Sequence, residues 1–297
     1  MNRSFRIAVA WLLLSDASFA VMRVTTRMAA SVATLHWAEI AAFRFLGGAL
    51  VPIVLSRVRG TPLRVRDRRN AWLRSGFGVF GALSLFYALG THALSVGDAT
   101  TLYATMPLWV AMLSGPLLGE RVGRSVWIAV VIGFVGVATL LHAGFTSVGP
   151  TGFIVLGGAC SYALAILRVR RLSAHESSEA IGLHLSLTAG VVMLLIAWPH
   201  LAPIPNAAWP ALLLSALSGG LGQAVFARAY EHGSASRLAA FNYSGVLFTY
   251  LLELALFHRV PEPHQWLGAG LVVGAGVFVS LVAARRAEAV VADRPAP

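Results

Sequence analysis

Residues 87–122 read YALGTHALSVGDATTLYATMPLWVAMLSGPLLGERV, and residues 223–260, about 138 positions further on, read QAVFARAYEHGSASRLAAFNYSGVLFTYLLELALFHRV. The first block leads into an apolar stretch with Gly133 and Gly136. The second leads, past Trp266, into one with Gly268, Gly270, Gly274 and Gly276. Two similar blocks at this separation point to two homologous halves. Around them, apolar stretches near residues 7–22, 35–55, 71–91, 99–118, 126–144, 151–167, 180–198, 208–226, 238–257 and 265–284 fill the chain almost end to end. A hydrocarbon core of roughly 30 Å needs about 20 apolar helical residues to cross it, so each stretch reads as a span. The expected fold is all-α integral membrane, with ten transmembrane helices.

Composition leads to the same class. The chain is 57% hydrophobic and 12% charged, with a mean hydropathy of +0.74, which describes a protein whose main solvent is lipid. The net charge of +11 is carried by arginine alone. In a soluble protein clustered cations suggest nucleic acid, but here the arginines fall between spans, so no nucleic-acid partner is expected. Counted from a cytoplasmic amino terminus, the inner gaps hold Arg3 and Arg6, seven arginines from Arg57 to Arg74, then Arg121, Arg124, Arg168, Arg170, Arg171, Arg228, Arg237, Arg285, Arg286 and Arg294. The outer gaps hold only Arg23, Arg27 and Arg259. This bias places both termini in the cytoplasm by the positive-inside rule.

Five spans per half is an odd number, so the second half enters the membrane from the opposite side. The expected organisation is an inverted pair, residues 1–145 and 146–284, with a cytoplasmic tail at 285–297. Inverted halves of similar structure can exchange roles and give inward-open and outward-open states of similar energy, with a substrate site near the midplane between them. Arg3, Arg6 and the run Ile7 to Leu14 also resemble a cleavable signal, but losing that segment would break the five-plus-five symmetry. Cys160 is the single cysteine, so no internal disulfide and no cysteine metal cluster is expected, and no metal or cofactor is read from the chain.

Ala93, Pro107, the Leu118, Gly119, Glu120 triplet and the glycine-containing span after it resemble the EamA-type repeat of the drug/metabolite transporter superfamily. Arg23 sits where that family has a basic residue after helix one, Arg44 matches the arginine typical of its helix two, and the resemblance extends over nearly all ten spans. The second half departs from the pattern: Gly245 stands where the first has Pro107, and His258 where it has Glu120. The resemblance implies a bacterial inner-membrane exporter of amino acids or other small metabolites, with the aromatic amino-acid exporters as one such kind.

Ionisable groups inside spans are the first site candidates, because a charge at the bilayer centre costs about 2.5–3.5 kcal/mol on insertion scales. Asp16, Glu39, Arg44 and Glu253 qualify, and Arg23 lies two turns beyond Asp16 on the same face. Asp16, Arg44 and Glu253 are the candidates for coupling or gating, and interhelical bonding is the alternative for each. A substrate-lining set is drawn from Trp11, Ser15 and Asp16 on the first span, Phe80, Ser84 and Tyr87 on the third, and Tyr103, Met106, Pro107 and Trp109 on the fourth. Tyr162, Gln223, Phe226, Asn242 and Tyr243 complete it from the second half. Aromatic faces with a few hydrogen-bonding groups suit a small amphipathic molecule, and the same stripes also suit helix packing.

The expected function is a secondary transporter of small metabolites, most simply an exporter of neutral or aromatic amino acids. A nucleobase, sugar or drug-like cation is the alternative cargo. The expected partners are that solute and membrane lipid, with the protein a monomer or homodimer. A passive channel would need a ring of carboxylates or a carbonyl filter. An intramembrane serine enzyme would need a histidine paired with Ser114 or Ser218. Neither pattern is present, and without lysine no phosphate-binding loop for ATP can form.

Overall fold

Long apolar runs with few internal glycine or proline breaks form helices, and in lipid a helix is the element that satisfies its own backbone. The computed structural model describes residues 3–32, 35–90, 102–140, 149–257 and 262–292. No strand occurs among the described residues. The helices are α1 (Arg3–Val32), α2 (Trp37–Gly48), α3 (Leu50–Arg59), α4 (Arg68–Gly90), α5 (Met106–Leu118), α6 (Arg124–Leu140), α7 (Gly149–Leu172), α8 (Ser178–Ala197), α9 (Trp209–His232), α10 (Ala235–Leu238), α11 (Ser244–Phe257) and α12 (Pro263–Ala292). The second span is α2 and α3 together. The ninth is α10, a 3-10 turn over Ala239–Tyr243, and α11.

The stretches Arg3–Ser31, Trp37–Arg59, Gly149–Leu172, Ser178–His200, Asn206–His232 and Ala235–Leu256 are each long and apolar enough to cross a membrane, and Met106–Leu118 and Arg124–Thr139 are shorter apolar helices. The outer surface bears apolar ridges such as Leu187, Val191 and Leu195 on α8 and Leu213, Leu217 and Leu221 on α9, all exposed. Contiguous exposed ridges of this kind mark a lipid-facing surface.

Helix pairing follows an exchange rule. The main contacts are α1 with α9, α4 with α7, α6 with α12, α2 with α8 and α9, α1 with α11, α5 with α7, and α4 with α8. Swapping the first five spans for the second five turns α1–α9 into α7–α4 and α1–α11 into α7–α5, and maps α2–α8 and α6–α12 onto themselves. Close approach at these seams needs missing side chains. A Cβ on Gly220 would lie 2.3 Å from the Gly48 carbonyl oxygen, and one on Gly136 would lie 3.0 Å from that of Gly268. Of the other glycines in the last span, Gly270 and Gly274 face open space and Gly276 touches Phe241.

Loops of like parity meet at one end. Arg59 pairs with Glu179 at 2.7 Å, and Glu176 accepts the backbone N–H groups of Arg66 and Asp67, each at 2.8 Å. The Ser177 hydroxyl donates to Pro62 O at 2.6 Å, and Arg168 donates to Asn70. Arg171 donates to Leu117 O at 2.6 Å. Glu120 accepts from the N–H groups of Ala235 and Ser236 at 3.0 and 2.9 Å, which caps α10 from the other half. In the same exposed region the Asn70 side chain donates to Asp67, and this bond holds the Asp67 carboxyl below the usual carboxylate range. Rings gather at the opposite end, with His36 stacked on His200 and Phe43 edge-on to Trp209.

Two boundaries differ from the sequence reading in ways that matter. α1 continues to Val32 because no proline or glycine interrupts it, so Arg23 lies within a helix and not in an outer gap. α4 begins at Arg68, which puts Arg74 in its second turn and buries it, where an inner loop was expected.

Gly220→Leu is expected to lower the melting temperature of the detergent-purified protein, costing about 3 kcal/mol as overpacking of a tight seam. Gly270→Leu, which meets nothing within 4 Å, should melt like the parent. Equal melting of the two variants would contradict the close α2–α9 seam.

Candidate functional site

Both homologous stretches are broken at the same relative place. In the first half, residues 102–103 are helical, Ala104 and Thr105 form a turn, and α5 restarts at Met106. In the second, the 3-10 turn ends at Tyr243 and α11 restarts at Ser244, about 138 residues later. Such an interruption exposes backbone groups that only a protein-lined interior can satisfy. Pro107 stands in the first turn of α5, where proline deletes no helical bond. The break therefore comes from the turn before it and not from a proline bend.

The second break is held from α1. The Ser244 hydroxyl donates to Asp16 Oδ2 at 2.6 Å. Arg23 Nη1 donates to the Gly245 carbonyl at 3.1 Å and to Thr249 Oγ1 at 3.0 Å. Gly245 packs closely here: a Cβ there would sit 3.3 Å from Asp16 Oδ1, a tight contact, and 3.5 Å from Arg23 Nη1, an ordinary one. Asp16 and Arg23 interact electrostatically without touching. Arg23 keeps exposed side-chain surface beside these bonds.

Two more arginines reach the same region. Buried Arg44 on α2 donates through Nε to Met22 Sδ on α1 and lies beside Gly219 of α9. Buried Arg74 on α4 donates through Nη2 to Gln223 Oε1 on α9 at 3.1 Å, and its Nε and Nη1 have no hydrogen-bond partner. Tyr162 on α7 is the common neighbour, within electrostatic reach of Arg23, Arg44 and Arg74. Its ring lies 5.9 Å from that of Tyr103, which is likewise near Arg23 and Arg44. Tyr230 is close enough to sense both Asp16 and Tyr162, and it accepts a bond from Asn242 Nδ2 at 3.3 Å. The cluster thus draws on α1, α2, α4 and residue 103 from one half, and on α7, α9 and the broken ninth span from the other.

Asp16, Arg44, Tyr103, Tyr162, Gln223 and Asn242 are therefore brought together, and Arg74 joins them although the sequence had placed it in a loop. Its signal was present: an arginine two turns into an apolar helix. Ser15 lies at the edge of this group, with its hydroxyl bonded to Gly222 O at 2.9 Å. Other candidates are placed elsewhere. Phe80 and Tyr87 share an exposed stripe of α4 with Trp72, on the side away from Arg74. Buried Ser84 donates to Gly81 O and packs on Gly158. Tyr243 donates to Val130 O at 3.1 Å and lays its ring on Gly133, a packing role against α6. Phe226 is in the apolar core with Phe19 and Tyr230, and Trp11, Met106 and Trp109 pack against that core. Pro107 is buried at the start of α5, and Arg228 lies over the Trp11 ring. Glu39 sits buried in the first turn of α2, near Ala202. The side chain of Glu253, and the whole of His92, Ala93, His258 and Arg259, lie outside the described residues.

A profile of the EamA-like transporter family matches residues 6–141 and again residues 150–281. The chain belongs to that family. It is 25% identical over 273 residues to the riboflavin transporter of Vibrio cholerae, covering 91% of this chain and 91% of that one. It is 29% identical over 272 residues to the pseudopaline exporter of Pseudomonas aeruginosa, covering 90% of this chain and 93% of that one. A solved crystal structure shares the fold with a TM-score of 0.80 at 19% identity, covering 96% of this chain and 99% of its own. Both halves thus fall within matches to the same family unit.

Ser244→Ala removes a hydrogen bond to a buried carboxylate, which is worth about 1.5–3 kcal/mol. The variant should melt lower than the parent by a corresponding amount, and Gly245→Val should melt lower still. Unchanged melting of both would contradict the α1–α11 clamp.

Proposed function

We propose that this protein is a secondary transporter that moves small amphipathic metabolites across the bacterial cytoplasmic membrane by alternating access. The observation that carries the reading is the polar cluster itself. It lies at the seam between two halves whose helix pairing survives their exchange, with one span broken beside Asp16 and Arg23. Interrupted helices at a repeat interface are the usual substrate and ion sites of such transporters. In this reading residues 1–145 and 146–284 are inverted repeats, both termini are cytoplasmic, and the arginine-rich end faces the cytoplasm. The bonds of Arg59, Glu120, Glu176 and Arg171 then close the inner side of the site. Relatives named for riboflavin and pseudopaline support a small organic cargo, and neutral or aromatic amino acids moving outward are its simplest representatives. Asp16 and Arg44 are the coupling or gating groups, with Glu253 of α11 as a third.

Purified protein in liposomes is expected to move at least one aromatic metabolite faster than protein-free vesicles, and Asp16→Ala should cut that rate at least tenfold. In a Cys160→Ser background, a cysteine at Tyr103 should be labelled from only one side of the membrane in any one state. Simultaneous labelling from both sides would identify a channel and overturn alternating access.

A further inference from the structure

Charge around the site does not balance. Among the described residues the buried carboxylates are Asp16, Glu39, Glu176 and Glu179. Glu176 is occupied by the N–H groups of Arg66 and Asp67, and Glu179 by Arg59. Glu39 lies in the first turn of α2 beside Ala202, near the aromatic end. Among the described carboxylates Asp16 is the one that stands with the arginines, and Arg23 is its electrostatic counterpart. Arg44 and Arg74 are left over. Among the described residues neither has a carboxylate within ion-pair distance. Arg44 Nε donates to a thioether, a weak acceptor. Arg74 spends one nitrogen on the neutral Gln223 amide and leaves Nε and Nη1 without partners. His184, held by Ser75 at 2.8 Å beside Arg74, supplies no negative charge.

A buried guanidinium retained with open donors is costly unless something completes it, because desolvation of the charge goes unrepaid. The planar fork of arginine matches a carboxylate in two-point fashion. Tyr162 is within electrostatic reach of both groups and Tyr103 of Arg44, and their rings, 5.9 Å apart, offer an apolar, polarisable wall for the rest of a ligand.

We infer that the site takes a net-anionic amphipathic solute, whose carboxylate is bound by the open donors of Arg74, with Arg44 adding to the positive field across Tyr162, and whose ring or apolar body lies against Tyr162. A zwitterionic amino acid brings no net charge and leaves the excess uncompensated, and a cation worsens it. The inference rests on the transporter reading above but replaces neutral amino acids by anions as the cargo the site selects.

Three compounds with one ring test it: N-acetyltyrosine, an anion; tyrosine, a zwitterion; and tyrosine amide, a cation. Full-length protein in detergent is titrated with each while its melting is followed, and each is then offered to proteoliposomes. The anion should bind at least about tenfold more tightly than tyrosine, the factor that one charge-assisted contact supplies. Arg74→Gln and Arg44→Gln should each erase most of that preference, and Arg74→Lys should keep part of it. Should Arg74→Gln fail to fold, Arg44→Gln and Arg74→Lys decide. Equal or weaker binding of the anion, no binding of it at all, or an unchanged preference in the folded variants overturns the inference. Flux of tyrosine without anion preference would leave the transporter reading standing and remove this one. Anion binding with no flux of any compound would do the reverse.

Discussion

The structure depends on placing guanidinium groups where there is little water. Arg23, Arg44 and Arg74 sit among apolar helices whose described residues bring one carboxylate, Asp16, to meet them. Each therefore recruits whatever neutral acceptor is in reach: the Gly245 carbonyl and Thr249 hydroxyl for Arg23, the Met22 sulfur for Arg44, the Gln223 amide for Arg74. Those acceptors lie on other helices. Satisfying the charges thus ties α1 to α11, α2 to α1, and α4 to α9, and it ties the first half to the second.

Backbone accounting imposes the complementary demand. A helix broken in hydrocarbon exposes carbonyls and N–H groups, and such a break persists only where protein or enclosed water meets it. The ninth span breaks over Ala239–Tyr243, where Asp16 and Arg23 approach Ser244 and Gly245. Glycine at 245 packs closely against both side chains. The fourth span breaks at the matching turn, and its Tyr103 faces Tyr162. Two equivalent interruptions, one from each half, therefore frame one polar interior.

The ends of the molecule are built differently. The arginine-rich end is held by directional bonds between halves: Arg59 to Glu179, Glu120 to the start of α10, Arg171 to the end of α5. The opposite end is held by rings, His36 on His200 and Trp37 on Phe86. Polar bonds of this sort have a defined made and unmade state, whereas stacked rings can slide.

Much of this was legible in the chain. Span number and the repeat followed from apolar length and from two similar blocks, because the bilayer fixes helix length and excludes other backbone structures. Asp16 and Arg44 stood out as charges within spans. Arg74 did not, because it counts with the inner-gap arginines although it falls inside the 71–91 stretch, and the start of α4 at Arg68 places it in the helix's second turn. Phe80 and Tyr87 share a helical stripe with Ser84, but periodicity names a face without saying what it meets, and in the folded chain Phe80 and Tyr87 are exposed while Ser84 is buried. Sequence by itself determined the class of fold, the number of spans and the family, since these depend on composition and repeats that survive any rotation of a helix. Tertiary structure alone decided which side chains share an interior and which of them lack a partner. That outcome depends on the rotation and register of helices far apart in sequence, set by glycine seams such as Gly48 on Gly220.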